Sequence, residues 1–163
     1  MKDLNIKSRH LLRKSQSKLI IKEIKKFFDD ADIVFKKARF ELVSADTYEL
    51  LFVDGNFLFI LIDGKPFFSV KGALKLQPKN KLITVDTGAV PFIIKGADIM
   101  RPGIISADSG IHEEDKVVII EEKHSKPIAV GYALMDGDQM IGDSGKAVKI
   151  VHRVGDRLWN LNI

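Results

Sequence analysis

The spacing of apolar residues changes from a helical to a strand period about thirty residues into the chain. Between Ser15 and Phe28 apolar residues recur every three or four positions, and lysines occupy many of the positions between them. This period is typical of an amphipathic helix with one buried stripe, and Ser15 and Ser17 are both suitable N-caps. The pattern therefore predicts a helix that begins at one of these serines and ends at about Phe28.

From about residue 35 the apolar residues alternate with polar ones. Alternation predicts strands, here over residues 35–43, 47–53 and 56–62. Asp54-Gly55 separates the last two as a two-residue hairpin turn. A helix packed on an antiparallel meander is an α+β arrangement, which we expect for a first domain over residues 1–80.

The second half of the chain is predicted to form short strands joined by glycine turns, as in a small β-barrel-like domain over residues 81–163. The strands are expected over residues 116–122, 128–135, 147–154 and 158–162. The apolar residues 90–94 are interpreted as another strand, followed by a tight turn at Gly96, one or two turns of helix and a stop at Pro102-Gly103. A helical turn is also predicted over residues 139–141.

Positive charge is concentrated in the first half of the chain. Residues 1–80 hold 16 Lys and Arg against 10 Asp and Glu, whereas residues 81–163 hold 10 against 12. Because phosphate binding is mainly electrostatic, we expect the first half to add to any attraction for RNA and the second half to gather its cations on one face. The chain has no cysteine, which excludes disulfides, thiol nucleophiles and cysteine-ligated zinc sites.

Several motifs of the second half follow one another in an informative order. They are VDTGAVPFIIKGADIMRPG at residues 85–103, DKVV at 115–118 and PIAVGYA at 127–133, followed by His152, Gly155, Asp156, Leu158 and Trp159. In sequence and spacing these motifs resemble the PUA domain, a small β-barrel-like module that binds RNA.

The first half carries a related resemblance. VDGNFLF at residues 53–59, GKPFF at 64–68 and the basic helix before them are similar to the pre-PUA domain of one PUA subfamily. That subfamily comprises archaeal PUA proteins and their eukaryotic relatives, the malignant T-cell-amplified-sequence protein and ligatin. The resemblance implies a role in translation initiation or ribosome recycling.

The same resemblance implies which residues contact RNA, because PUA domains grip structured RNA with the glycine turn, the helix beside it and the closing strand. The matching positions are Lys95, Gly96, Ala97, Met100, Arg101, Lys149 and Arg153. Gly96 has no side chain to hold a sugar-phosphate away, and free amides at the start of a following helix can donate to phosphate oxygens. Alternation along the closing strand places Lys149 and Arg153 on one face. The alternative is that the glycines only form turns and the cations only keep the protein soluble.

An auxiliary RNA-binding set is predicted on the wet side of the first helix. It consists of Lys18, Lys22, Lys25 and Lys26. A solvated helix face that keeps the protein soluble is the alternative interpretation.

Residues that resemble catalytic or metal-binding groups are expected to be structural. His152 falls on the apolar side of its strand and Trp159 ends an apolar-patterned strand, so both are expected to pack. Asp156 is expected to cap a turn. The histidines lack metal-ligand spacing, and the carboxylates at 113–115 and 121–122 are expected to be solvated. We therefore predict no metal, no cofactor and no enzymatic activity.

The predicted function is non-catalytic recognition of structured RNA, either tRNA or small-subunit ribosomal RNA, in translation initiation or ribosome recycling. Two alternatives stay open: an RNA-targeting accessory subunit of a tRNA- or rRNA-modifying enzyme, and a protein-interaction module. No apolar run approaches the length of a membrane span, and the N-terminus lacks the apolar segment of a signal peptide, so we expect a cytoplasmic monomer. The eukaryotic relatives have a partner protein, which leaves a translation-factor partner open.

Overall fold

Two β-sheets, one from each half of the chain, organise the protein in a computed structural model that describes residues 3–161. The first sheet is antiparallel, and its strands are neighbours in chain order. They are β1 (Ile6–Leu11), β2 (Phe40–Ala45), β3 (Tyr48–Val53), β4 (Asn56–Ile62) and β5 (Lys65–Phe68). The predicted antiparallel meander is confirmed, with two additional strands, β1 and β5, one at each edge.

The second sheet curves into a near-barrel and contains the strands of residues 82–153. They are β6 (Leu82–Val85), β7 (Ile99–Met100), β8 (Ile104–Ala107), β9 (Lys116–Glu121), β10 (Pro127–Ala133) and β11 (Lys146–Arg153). Their spatial order is β7-β11-β10-β9-β6-β8. The β6–β9 pair is parallel and the other pairs are antiparallel. The α+β class with a barrel-like second half is therefore confirmed.

Four short helices accompany the two sheets within residues 3–161. They are α1 (Lys14–Lys25), α2 (Ala31–Val34), α3 (Val70–Leu76) and α4 (Val90–Ile94), with 3₁₀ turns at Arg101–Gly103 and Gly137–Gln139. None of the helices within residues 3–161 is long and apolar enough to cross a membrane.

A cluster of phenylalanine rings fills the core of the first sheet. Phe59 lies at its centre, with ring centroids 5.7 Å from Phe35, 5.9 Å from Phe68 and 6.3 Å from Phe27. Edge-to-face and offset arrangements of this kind add to the free energy gained by burial. Phe35, Phe40, Phe52, Phe57 and Phe59 are all buried.

The structure corrects the predicted boundaries between residues 13 and 40. Helix α1 begins at Lys14, with Arg13 as its N-cap rather than a serine. The strand predicted from residue 35 begins only at Phe40, because Phe35 ends α2 through a hydrogen bond from its amide to the Ala31 carbonyl. That turn places the Phe35 ring against Phe28, 6.2 Å away, so burial of the ring takes precedence over strand propensity.

The core cluster of the first sheet is shared between the halves, whereas the second half also has a core cluster of its own, which includes Ile83 and Ile119. Val118, Val130 and Leu158 from the second half pack into the cluster of the first, and the buried His152 ring lies 6.0 Å from Phe57. Helix α3, which the sequence analysis did not predict, contacts β4, β5 and β10. The packed interface expected between the halves is therefore present, whereas the division into domains 1–80 and 81–163 stays a prediction.

The segment after β11 ends in turns rather than in the strand predicted over 158–162, whose last residue, Asn162, lies outside the described residues. Asp156 causes this, as its carboxylate accepts hydrogen bonds from the Trp159 amide at 2.8 Å and the Arg153 amide at 2.9 Å. The His152 Nδ1 lies 2.8 Å from the same carboxylate. The packing role of His152 and the capping role of Asp156 are confirmed. Burial alone would raise the pKa of Asp156, but the His152 and amide hydrogen bonds hold this pKa below its usual value.

Asp156→Ala should lower the free energy of unfolding by about 2–4 kcal/mol, because it leaves buried donors without acceptors. Chemical denaturation at pH 7 measures this loss. Exposed Asp143, whose side chain forms no hydrogen bond or ion pair with another residue of 3–161, supplies the control, and Asp143→Ala should change stability by less than about 0.5 kcal/mol.

The stability difference between wild type and Asp156→Ala should depend on pH. A carboxyl whose folded pKa is depressed stabilises the fold above its unfolded pKa, about 3.9, and this contribution is lost as the pH falls through the folded pKa. The stability difference between wild type and Asp156→Ala should therefore be full at pH 6 and shrink below about pH 4. A difference that stays constant down to pH 2 would contradict the role given to the Asp156 carboxylate.

Candidate nucleic-acid interface

Helix α4 and the glycine that ends it form the centre of the candidate interface. Pro91 lies in the first turn, where its missing N–H costs no hydrogen bond. Lys95 is the C-cap, and Gly96 follows with φ +107°, a left-handed conformation that favours glycine. The amides of Gly96 and Ala97 donate to the carbonyls of Ile93 and Phe92 at 2.9 and 3.0 Å. This pair of bonds is the Schellman arrangement, which closes a helix tightly.

The predicted order of elements around Gly96 is therefore wrong. The apolar residues 90–94 form a helix before the glycine, and β7 follows it. The amides of Gly96 and Ala97 are already used by helix carbonyls, so they do not form the free helix start that was expected to receive phosphate. Pro91 near the start and Gly96 just past the end are a known helix signature, and five apolar residues in a row concealed it.

Arg153 joins the closing strand to the end of α4. Its guanidinium donates to the Ile94 carbonyl and, at 3.3 Å, to the Val154 carbonyl. Carbonyls at a helix C-terminus carry partial negative charge and lack partners within the helix. Arg153 therefore acts first as a cap for α4, which places β11 beside the Gly96 turn.

Arg101 has a similar internal task. Its guanidinium donates to three backbone carbonyls of one loop, those of Gln139 and Ile141 at 2.9 Å and that of Ser144 at 3.2 Å. Any side chain at Gly142 would collide with this guanidinium. Arg101 thus orders residues 139–144, and it offers RNA less free hydrogen-bonding capacity than the sequence suggested.

Asp98 gathers two lysines on the exposed side of β11. Its carboxylate lies 3.1 Å from the Lys146 ammonium and 3.8 Å from that of Lys149, and it accepts the Ile150 amide at 2.9 Å. Partial burial alone would raise the pKa of Asp98, but the Ile150 amide and the two lysines hold this pKa below its usual value. One carboxylate thus holds two exposed cations, which leaves a positive rim.

An apolar hollow of about 380 Å³ lies between α4 and β7, next to this rim. Phe92 and Met100 line it and are exposed to 67% and 46%. The small residues Ala97 and Gly103 also line the hollow. An apolar hollow bordered by lysines can hold an unstacked base or a ribose while the rim neutralises phosphates.

The seven predicted site residues lie together around α4, β7 and β11, but they do not all have the same role. Lys95, Ala97, Met100 and Lys149 are exposed, whereas Arg101 and Arg153 bind backbone carbonyls. The register of β11 against β10 shifts between Val130 and Gly131, so the strict alternation that placed Lys149 and Arg153 on one face is wrong. The sequence analysis missed Phe92, Asp98 and Lys146.

The auxiliary lysines of α1 fall into two groups. Lys25 pairs with Asp32 at 2.8 Å, and Lys26 pairs with Glu23 at 2.9 Å. Lys18 and Lys22 have no ion-pair partner within residues 3–161. Two of the four predicted cations are therefore less available to a polyanion.

The acidic clusters have structural tasks. Asp115 pairs with Lys81 at 2.7 Å, and Glu121 accepts the amides of the β9–β10 turn, including that of Lys123 at 2.9 Å. The expectation that these two carboxylates are merely solvated is wrong. Across the described part of the chain, no group of three or more His, Cys, Asp or Glu side chains is placed to hold a metal ion.

Comparison with known proteins connects this geometry to a family. A family model of the PUA domain matches residues 81–154. An uncharacterized protein of Methanocaldococcus jannaschii is 43% identical over 159 residues, which cover 96% of this chain and 98% of that protein. Translation machinery-associated protein 20 of Saccharomyces cerevisiae is 29% identical over 153 residues, which cover 88% and 84%.

Two further likenesses agree with these matches. Malignant T-cell-amplified sequence 1 of Danio rerio is 33% identical over 121 residues, which cover 69% of this chain and 65% of that protein. The solved structure of a hypothetical protein from Pyrococcus horikoshii is similar with a TM-score of 0.85 at 36% identity, over 94% of this chain and 98% of that one.

Gly96→Ala should lower the free energy of unfolding by about 1–2 kcal/mol, because a side chain is strained at φ +107°. Thermal and chemical denaturation measure this loss. The control is Gly110→Ala, where the added methyl group meets open space and φ is not in the left-handed range, so a change below about 0.5 kcal/mol is expected. Equal losses for both variants would contradict the helix-closing role of Gly96.

Proposed function

The chain belongs to the family of PUA-domain proteins, and from this membership we propose that it recognises structured RNA, tRNA or small-subunit ribosomal RNA, without catalysing a reaction. The predicted resemblance to archaeal PUA proteins and to the malignant T-cell-amplified-sequence protein is confirmed. The family and the translation machinery-associated relative support RNA binding in translation. A role in initiation or ribosome recycling is the finer part of the proposal.

The observation that carries the proposal is the apolar hollow with its positive rim. Phe92 and Met100 offer apolar surface, and the lining also includes the carboxylates of Asp86 and Asp98. Lys146 and Lys149 lie beside the hollow through their contacts with Asp98, and exposed Lys95 caps the adjoining helix α4. Phosphate contacts of this kind set affinity and orientation, whereas apolar contacts with an unstacked base add a local anchor. The arrangement suits a folded RNA that presents one flexible nucleotide beside its backbone.

Recognition in this proposal is mainly of backbone shape. Among residues 3–161, Phe92 is the one Phe, Tyr or Trp side chain that is mostly exposed, whereas readers of single strands stack successive bases on several aromatic rings. One ring can anchor one nucleotide. Sequence preference should therefore be weak and salt dependence strong.

The two halves have different tasks in this proposal. Residues 81–163 form the RNA-binding domain, and residues 1–80 form an adjoining domain that packs on it through the shared core. We propose that the protein acts as a monomer in the cytoplasm.

Lys95→Gln/Lys146→Gln/Lys149→Gln should weaken binding to total tRNA and to small-subunit ribosomal RNA, because it removes cations from the rim. With about 0.7–0.9 counterions released per phosphate contact, the slope of log K against log salt should become less steep by about 2. Fluorescence anisotropy across a salt series measures this slope. Lys65→Gln/Lys75→Gln/Lys123→Gln removes the same charge from exposed positions elsewhere and should keep the wild-type slope.

Phe92→Ser separates the apolar contribution from the electrostatic one. It should weaken binding by about 1–3 kcal/mol at every salt concentration and leave the slope unchanged. Ile33→Ser, at an exposed apolar position of α2, is the matched control. Full affinity in both the rim variant and Phe92→Ser would contradict the proposed interface.

A further inference from the structure

A groove of about 270 Å³ lies in the first half of the chain, far along β1 from the second sheet. One wall is the first turn of α1, and the other is the segment that leads into β2. Four cationic side chains line it: Lys14, Lys18, Lys36 and Arg39. This set is called the basic groove below.

The fold brings these cations together from two segments. Lys14 and Lys18 lie one turn apart on the same side of α1, as residues four apart do. Arg39 is held in place by its backbone, since its amide donates to Asp54 Oδ1 at 2.9 Å and its carbonyl accepts the Asp54 amide at 2.9 Å. The Leu12 amide donates to the Phe40 carbonyl at 2.8 Å and closes the groove at its base. The positions of the cations are thus set by ordered backbone.

The basic groove carries an excess of positive charge. The Arg9 hydrogen bond and, in addition, the charge of Arg39 lower the pKa of Glu41, so this carboxylate faces Arg39 but is paired with Arg9. Its described lining includes no carboxylate, and its four cations form no ion pair with a described residue. Other lysines of the same half, such as Lys25 and Lys26, do have carboxylate partners. By contrast, a cleft lined by residues 79–81 contains carboxylates as well as lysines, because Asp29 and Asp108 also line it.

This concentration of charge is unfavourable without a ligand. Four like charges in one groove repel one another, and Lys14 lies in the first turn of α1, where the helix dipole is positive and no acidic residue compensates it. A bound anion would relieve both effects. At about 270 Å³ the groove is smaller than typical small-molecule pockets, which begin at about 300 Å³. Its size and open shape suit part of a long polyanion better than an enclosed metabolite.

We propose that the basic groove is a second RNA site, which binds the phosphodiester backbone of the same structured RNA that occupies the α4 interface. This inference rests on the proposed RNA-binding function and extends it to the first half of the chain. It replaces the predicted auxiliary set, because Lys18 is retained, Lys25 and Lys26 are ion-paired, and Lys14, Lys36 and Arg39 are added.

Strand β1 connects the two RNA sites. The basic groove lies at its Leu11 end, and Ile6 at the other end pairs with Ala45, next to Asp46. Asp46 forms an ion pair with Arg157, just beyond β11. Five residue steps at about 3.3 Å each separate the ends of β1 by roughly 17 Å. Residues 7–10 between them are exposed and include Lys7 and His10, whereas Arg9 is paired with Glu41 at 2.7 Å. One folded RNA can follow this edge from one site to the other.

The test compares the full-length wild type with Lys14→Gln/Lys18→Gln/Lys36→Gln/Arg39→Gln, with total tRNA and small-subunit ribosomal RNA as probes across a salt series. All four residues are exposed, so the variant should keep the wild-type melting temperature. We expect its slope of log K against log salt to be less steep by about 2–3, and its affinity at low salt to fall about tenfold or more. The control Lys25→Gln/Lys26→Gln/Lys75→Gln/Lys123→Gln removes the same charge and should stay within about twofold of wild type.

Three results would overturn the inference, and they differ in what they say of the proposed function. If the groove variant matches the control while the rim variant binds weakly, RNA binding stands and the basic groove is not part of it. If the wild type binds neither RNA near physiological salt, the proposed function fails with the inference. If a polyglutamate probe binds in a groove-dependent way but RNA does not, the groove serves an acidic protein.

Discussion

The candidate interface depends on how α4 ends. A five-residue helix leaves several carbonyls without partners in the helix, and here they are satisfied by the Gly96 and Ala97 amides and by the Arg153 guanidinium. The same contacts fix where β11 lies, since Arg153 is its last residue. The closed helix end also directs the chain into β7, and the apolar hollow lies between these two elements. One glycine in the left-handed conformation and one arginine thus set the geometry of the proposed RNA interface.

The second half can serve RNA although it is slightly acidic overall. Several of its carboxylates are committed to the fold: Asp156 orders the C-terminal turns, Asp115 pairs with Lys81, and Glu121 caps the β9–β10 turn. Asp86 and Asp98 both line the apolar hollow, and Asp98 positions two lysines at once. The arrangement of charge around α4 therefore matters more than the net charge of residues 81–163, and the cationic first half adds a longer-range attraction.

The sequence was sufficient where period and turn chemistry agreed. The strand Asn56–Ile62 follows from a short apolar run after the Asp54-Gly55 turn, and the hairpin of β9 and β10 follows from two apolar runs separated by polar residues 123–126. It failed where tertiary packing decided. Val90–Ile94 is uniformly apolar, so its period cannot separate helix from strand, and β1 is an exposed edge strand whose polar residues hide it.

The sequence predicted where the candidate site lies but not what each of its residues contacts. The motif around Gly96 indicated where the candidate interface lies. The Gln139 carbonyl that Arg101 binds is 38 residues away in sequence, and the Ile94 carbonyl that Arg153 binds is 59 residues away. Contacts over such separations carry no local pattern. Phe92 is exposed on the helix that residues 90–94 form, whereas the sequence pattern predicted a strand there.

The most direct test of the central claim is a map of backbone-amide NMR shifts as tRNA is added to the full-length protein. The account predicts the largest changes at Phe92, Lys95, Met100 and Lys149, with smaller ones along β1 and at the basic groove. Shifts confined to other surfaces, or none at salt concentrations that permit phosphate contacts, would contradict the claim that the α4 end forms the RNA interface.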